Sequence, residues 1–110
     1  MNDSKNAYQY KQLKVWQKAM ELVVHVYRAT INFPKHEQYG LISQLRRSVV
    51  SIPSNIAEGH GRNSNKETVR FLDIARGSIF ELDTQIEISR QLHYFKPREF
   101  TFIYNLLDEV

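Results

Sequence analysis

With 110 residues and no cysteine, the chain has the length of about one domain, and disulfide frameworks, thiolate zinc sites and cysteine nucleophiles are excluded. Its apolar fraction of 42% is that of a globular protein, and no apolar run approaches the roughly 20 residues of a membrane span, so a soluble, cytoplasmic protein is expected. Fifteen Lys and Arg against twelve Asp and Glu leave a formal charge of +3, which permits an anionic partner without requiring one.

The first ten residues read as a flexible segment ahead of one domain at 11–110. From Leu13 to Ile31 the residues Leu13, Trp16, Met20, Val23, Tyr27 and Ile31 recur every three or four positions, which predicts a first helix ending at Asn32-Phe33-Pro34. A second helix is expected from about Glu37 to Glu58, with Leu41, Ile42, Leu45, Val49, Ile52 and Ile56 on one face. It contains Pro53, which removes a backbone donor and frees the Val49 carbonyl. A kink at Pro53 is therefore expected, with Ser48 and Ser51 capping the freed carbonyls. Gly59 and Gly61 are expected to close this helix with a residue at positive φ.

Ser64-x-x-Glu67 reads as a capping box that opens a third helix through about Leu92. Its core stripe is Phe71, Ile74, Ala75, Ser78, Leu82, Gln85 and Ser89, increasingly polar toward the end. Lys96-Pro97 starts a fourth helix with the stripe Phe100, Ile103 and Leu107. Asp108 and Glu109 oppose the dipole at its end, so a short helix is expected, truncated, frayed or continued past Val110. Four helices with short loops and no strand predict an all-α fold, an antiparallel up-down-up-down four-helix bundle.

The chemistry-bearing residues point away from catalysis. His25, His36, His60 and His93 are scattered, Glu21 and His25 form a single carboxylate–histidine pair, and no nucleophile has a base in register, so no metal, no cofactor and no enzymatic activity are expected. Gly59-His60-Gly61 lacks the third glycine of a dinucleotide loop and follows a helix, so it reads as a helix terminus. Lys11, Lys14, Lys18, His25 and Arg28 lie on the side of the first helix opposite Trp16. They form either a solvated face or a track for phosphates. Arg76 and Arg90 follow Asp73 and Glu87 by three residues and read as local pairs. Glu58, in the last turn of the second helix, calls for a cation from among Arg46, Arg47 and Arg62. A second face of the third helix, Gly77, Phe80, Thr84 and Ile88, either meets the fourth helix or marks a subunit interface.

Several segments carry a resemblance: Leu13-Lys14-Val15-Trp16-Gln17-Lys18-Ala19-Met20, Phe33-Pro34 with Glu37 and Tyr39-Gly40-Leu41, and Gln44-Leu45-Arg46-Arg47-Ser48. To these are added Ser51-Ile52-Pro53-Ser54-Asn55-Ile56-Ala57-Glu58-Gly59, Arg62, and Phe71-Leu72-x-Ile74-Ala75-x-Gly77-Ser78-x-x-Glu81-Leu82. Over about Leu13 to Leu92 the chain resembles the 23S rRNA-intervening sequence proteins, also called the four helix bundle protein family. The resemblance implies a bundle assembled as a ring of five, a homopentamer. It also implies kinship with the accessory variability protein of diversity-generating retroelements, which binds nucleic acid and a reverse transcriptase. Members of the family are encoded within intervening sequences of large-subunit ribosomal RNA genes or elsewhere in bacterial chromosomes. In this chain Pro53, Asn55, Glu58 and Gly59 lie in its central motif.

Two functional expectations follow. One is a non-enzymatic homo-oligomer that contacts structured RNA or DNA through Lys11, Lys14, Lys18 and Arg28, joined by Arg46, Arg47 and Arg62 where they reach the surface. The other is an adaptor whose assembled grooves hold a polypeptide partner and ignore nucleic acid.

Overall fold

The computed structural model describes residues 8–110, so most of the segment expected to be flexible, 1–7 of 1–10, lies outside the described residues. Four helices account for the fold: α1 (Lys14–Thr30), α2 (Leu41–His60), α3 (Asn65–Gln91) and α4 (Pro97–Glu109), with no strand among the described residues. They pack side by side into a rod of 52 × 21 × 21 Å. Short 3-10 turns at Gln9–Gln12 and Lys35–Glu37 precede α1 and α2.

Buried Ala19, Leu22, Val26 and Ala29 of α1 meet Leu41, Ile42, Leu45, Val49, Ile52 and Ile56 of α2, Ala75, Leu82 and Ile86 of α3, and Ile103, Leu106 and Leu107 of α4. Fully burying each of the larger aliphatic side chains contributes about 1.5–3 kcal/mol. The α2 stripe is as expected. The α1 stripe is rotated from its expected position: Trp16 and Val23 are half-buried, but Leu13, Met20, Tyr27 and Ile31 are exposed, Ile31 at 72%. Both sets satisfy helical spacing. The smaller residues Ala19 and Ala29 are the buried ones, and they let the neighbouring helices approach more closely than Met20 or Tyr27 would.

α2 begins four residues later than expected because Glu37 acts as its cap rather than its first turn. The Glu37 carboxylate accepts from the Leu41 N–H at 3.2 Å, and Gly40, the N-cap, gives it room, since a Cβ there would lie 2.6 Å from Glu37 Oε1. α2 then runs without interruption through buried Pro53 to His60. Ser48 and Ser51 do not cap the Val49 carbonyl as expected. Ser48 Oγ shares its one proton between Gln85 Oε1 of α3, at 2.7 Å, and the Leu45 carbonyl, at 3.2 Å, and Ser51 Oγ pairs with Ser78 Oγ at 2.8 Å. Asn55 Nδ2 donates to the Ser51 carbonyl and hydroxyl, at 2.8 and 2.9 Å.

These contacts explain the polar half of the α3 stripe. Ser78, Gln85 and Ser89 are buried: Ser78 Oγ meets Ser51 Oγ and the Ile74 carbonyl, Gln85 Oε1 meets Ser48 Oγ, and Ser89 Oγ donates to the Gln85 carbonyl.

Neither Gly59 nor Gly61 has positive φ, contrary to expectation. Gly59 lies inside α2, where close packing demands it. A Cβ there would stand 3.1 Å from Phe71 Cβ and 3.2 Å from the Thr68 carbonyl, while Thr68 Oγ1 donates to the Gly59 carbonyl at 2.9 Å. The left-handed residue is instead His93, at φ 62°.

Of the expected capping box, Ser64 Oγ accepts from the Glu67 N–H at 3.2 Å, but the Glu67 carboxylate pairs with Arg70. At the start of α4, Pro97 occupies the first turn and Glu99 Oε1 accepts from the Lys96 N–H at 3.1 Å. Phe33, Tyr94 and Phe95 close the loop end of the rod with ring centroids 5.0–5.3 Å from Phe33.

Candidate interaction surfaces

The basic residues separate into those bound within the bundle and those left open. Arg46 ties α2 to the end of α1: its Nε donates to Thr30 Oγ1 at 3.0 Å, its Nη2 to the Tyr27 carbonyl at 3.2 Å, and the guanidinium lies 4.6 Å from the Tyr27 ring centroid. A cation over the last carbonyls of α1 complements the negative end of that helix. Arg62 answers Glu58, as expected of one of three candidates, with Nη2 2.6 Å from Glu58 Oε2 and the guanidinium 4.6 Å from the Phe71 ring centroid.

Lys18 reaches Glu109 at the end of α4, 3.2 Å away, and Glu21 at 3.7 Å. The Glu109 carboxylate, and behind it Glu21, hold the Lys18 ammonium above its ordinary pKa. One of the two acids that oppose the α4 dipole, Glu109, is thereby paired with α1. Arg90 pairs with Glu87 as expected, and that carboxylate stays below its usual range, held first by Arg90 and then by Gln91. Arg76 faces Phe80, 5.6 Å from its ring centroid, rather than Asp73, with which no ion pair forms.

Lys11, Lys14, Arg28 and Arg47 remain exposed with no carboxylate at ion-pair distance among the described residues. Lys11 lies not on the first helix, as expected, but in the 3-10 turn before it, with its ammonium 5.6 Å from the Tyr8 ring centroid; Lys14 opens α1, Arg28 lies in its last turn, and Arg47 on α2. The expected track is thus broken: Lys18, Arg46 and Arg62 serve the bundle's own contacts.

On α3, Gly77, Phe80, Thr84 and Ile88 all lie at the surface, with Phe80 59% exposed. Thr84 Oγ1 donates to the Phe80 carbonyl at 3.0 Å, and a Cβ built at Gly77 meets nothing within 4 Å. This face is not covered by α4. Phe80 and Ile79 instead border a cleft with Tyr104 and Leu107 of α4.

Two residues that the sequence reading passed over, Arg98 and Phe102 of α4, join His25 and Arg28 of α1 around a second cleft. Phe102 lies off the α4 core stripe, and a large aromatic residue on the polar side of an amphipathic helix was the available signal. Among the described residues no group of three His, Asp or Glu side chains converges to hold a metal, and no helix is long and apolar enough to cross a membrane.

The family model of the 23S rRNA-intervening sequence protein matches residues 11–110. The fold is similar to that of a protein of unknown function from the S23 ribosomal protein family of Bacteroides thetaiotaomicron VPI-5482. The TM-score is 0.76 at 24% identity, over 86% of this chain and 89% of that one. No curated protein matches the chain.

Proposed function

The chain belongs to the 23S rRNA-intervening sequence protein family, and from that premise we propose that it is a non-enzymatic, homo-oligomeric four-helix-bundle scaffold that binds RNA or DNA through its phosphates. The observation that carries the reading is the set of exposed cations, Lys11, Lys14, Arg28 and Arg47, left without carboxylate partners among the described residues while other cations are consumed inside the bundle. Unpaired cations can release counterions from a phosphate backbone at no cost in broken internal pairs.

In this reading the helices run antiparallel, α2 bends at Pro53, and copies meet through Gly77, Phe80, Thr84 and Ile88, the ring of five being the expected assembly. An exposed Phe and Ile beside a glycine suit close helix contact between subunits.

The test is a salt titration of binding to ribosomal RNA fragments with light scattering on the same samples. Affinity should fall steeply with salt, and Lys11→Glu with Lys14→Glu should weaken binding to all sequences alike. Phe80→Ser should reduce the particle toward the 13.0 kDa chain. No uptake of nucleic acid at low salt removes the reading. Recovery of partner proteins untouched by the charge reversals would favour the polypeptide adaptor.

A further inference from the structure

The cleft between α1 and α4 combines an exposed aromatic ring with open cations. Its volume is ≈ 250 Å³, and it is lined by His25, Arg28, Arg98, Glu99 and Phe102 over Ala29 and Ile103. Phe102 is 53% exposed as a residue, and its ring lies 4.5 Å from the His25 ring, centroid to centroid, tilted by 53°. His25 therefore braces one part of the ring and the rest faces solvent. Phe102 also forms a wall of a shallower cleft with Pro97, Arg98, Thr101 and Asn105, so the ring stands between two concave surfaces that share Arg98.

Arg28 and Arg98 have no carboxylate at ion-pair distance among the described residues. The one acid of the cleft, Glu99, is turned to the Lys96 N–H. Arg98 also occupies the first turn of α4, where the helix dipole adds to the positive field. A cleft this small is below the usual size of a drug-like ligand site but suits a flat ring with one charged substituent.

We propose that the α1–α4 cleft of His25, Arg28, Arg98 and Phe102 is a stacking site for an unpaired nucleotide, taking the base on Phe102 and the flanking phosphates on Arg28 and Arg98. This deepens the proposed function, on which it rests, by specifying single-stranded nucleic acid at a defined site. Stacking on an aromatic platform is tolerant of sequence because every base has a π-face, and a duplex, whose bases are already stacked, cannot use it. An acidic peptide would satisfy the arginines but leave the Phe102 ring uncovered, so charge and shape together favour the nucleotide.

The experiment is a fluorescence-anisotropy titration of the full chain with labelled single-stranded oligouridine and oligodeoxythymidine, a blunt RNA duplex and an acidic peptide of equal charge. Variants are Phe102→Ala, Phe102→Trp, the pair Arg28→Gln with Arg98→Gln, and the pair Lys11→Glu with Lys14→Glu. Phe102→Ala should weaken single-strand binding about tenfold with the salt slope unchanged and duplex binding unaffected, and Phe102→Trp should restore it. The arginine pair should lower the magnitude of the single-strand salt slope by about 1.4.

Single-strand binding that survives Phe102→Ala but is lost on changing Lys11 and Lys14 overturns this site and leaves the proposed function standing. Equal competition by the acidic peptide also overturns it. Absence of binding to any nucleic acid overturns both. Should Phe102→Ala fail to fold, failure of Phe102→Trp to bind like the parent overturns the site on its own.

Discussion

The Tyr94 hydroxyl donates to Glu37 Oε2 at 2.9 Å, joining two loops 57 residues apart in the chain. The other oxygen of the same carboxylate caps α2 at Leu41. One acid thus fixes both where α2 begins and where the loop before α4 lies.

That double use makes stability depend on pH in a defined direction. The Leu41 N–H and then the Tyr94 hydroxyl hold the Glu37 carboxyl below its ordinary value of 4.5, while Glu37 keeps the Tyr94 phenol above 10.0. A depressed carboxyl contributes stability that is complete above its unfolded pKa and lost as pH falls through the folded one. A raised phenol contributes stability that is present below its unfolded pKa and lost as pH rises through the folded one. Tyr94→Phe should therefore lower the urea midpoint at neutral pH, with the gap to the parent closing below about pH 4. A gap constant from pH 3 to 8 would mean that the hydroxyl contributes independently of the charge on Glu37.

The end of α3 holds a residue type that its backbone disfavours. His93 sits at φ 62°, its N–H bonded to the Arg90 carbonyl and the Tyr94 N–H to the Ser89 carbonyl, both at 3.0 Å. This is a Schellman closure, whose left-handed position usually belongs to glycine. A left-handed non-glycine residue costs about 1–2 kcal/mol, partly offset because glycine loses more backbone entropy on folding. His93→Gly is expected to stabilise the protein by about 0.5–1 kcal/mol, a rise of roughly 4 °C in the calorimetric midpoint. Unchanged or lower stability would mean that the His93 side chain has a role in the loop.

Period and caps made most of the helical plan legible in the sequence: the α2 stripe, the Ser64 N-cap, the Pro97 start and the Arg62 answer to Glu58 all stand where the residues imply. The rotation of α1 was not legible, because Leu13, Met20 and Tyr27 satisfy helical spacing as well as Ala19, Leu22 and Val26 do, and only the neighbouring helices decide between them. The turn chemistry misled for a related reason. Glycine implies either positive φ or close approach, and Gly59 has the second while His93 takes the first without a glycine. The basic stripe was readable as residues but not as partners. Lys18 to Glu109 and Arg46 to Thr30 are long-range contacts that no local spacing encodes.

Gly59→Ala sets helix propensity against packing. Alanine in a helix interior is favoured over glycine by about 1 kcal/mol. Here its methyl would press on Phe71 Cβ and the Thr68 carbonyl, both closer than ordinary contact, at the point where Thr68 Oγ1 bonds the Gly59 carbonyl. Overpacking typically costs 1–3 kcal/mol, so the variant should be less stable by about 1 kcal/mol. A gain in thermal stability would show that the start of α3 yields freely. Thr68→Val, which removes the hydroxyl while keeping the shape, separates the hydrogen bond from the clash.

The polar seam between α2 and α3 can be apportioned by a double-mutant cycle on Ser48 and Gln85. Both residues are buried and their side chains meet at 2.7 Å, while the Ser48 hydroxyl also reaches its own helix at the Leu45 carbonyl. Ser48→Ala leaves Gln85 Oε1 without that donor in a buried site, which should cost about 1–3 kcal/mol. Gln85→Leu leaves the serine its backbone partner, so the expected loss is smaller, about 1 kcal/mol. Removing both groups takes away an unsatisfied acceptor along with the bond, and the double variant should be more stable than the sum of the single losses predicts, with a coupling of about 1 kcal/mol. Strict additivity in chemical denaturation would mean that each group is satisfied independently of the other. The seam would then owe its closeness to the small size of Ser48, Ser51 and Ser78 rather than to the bonds between them.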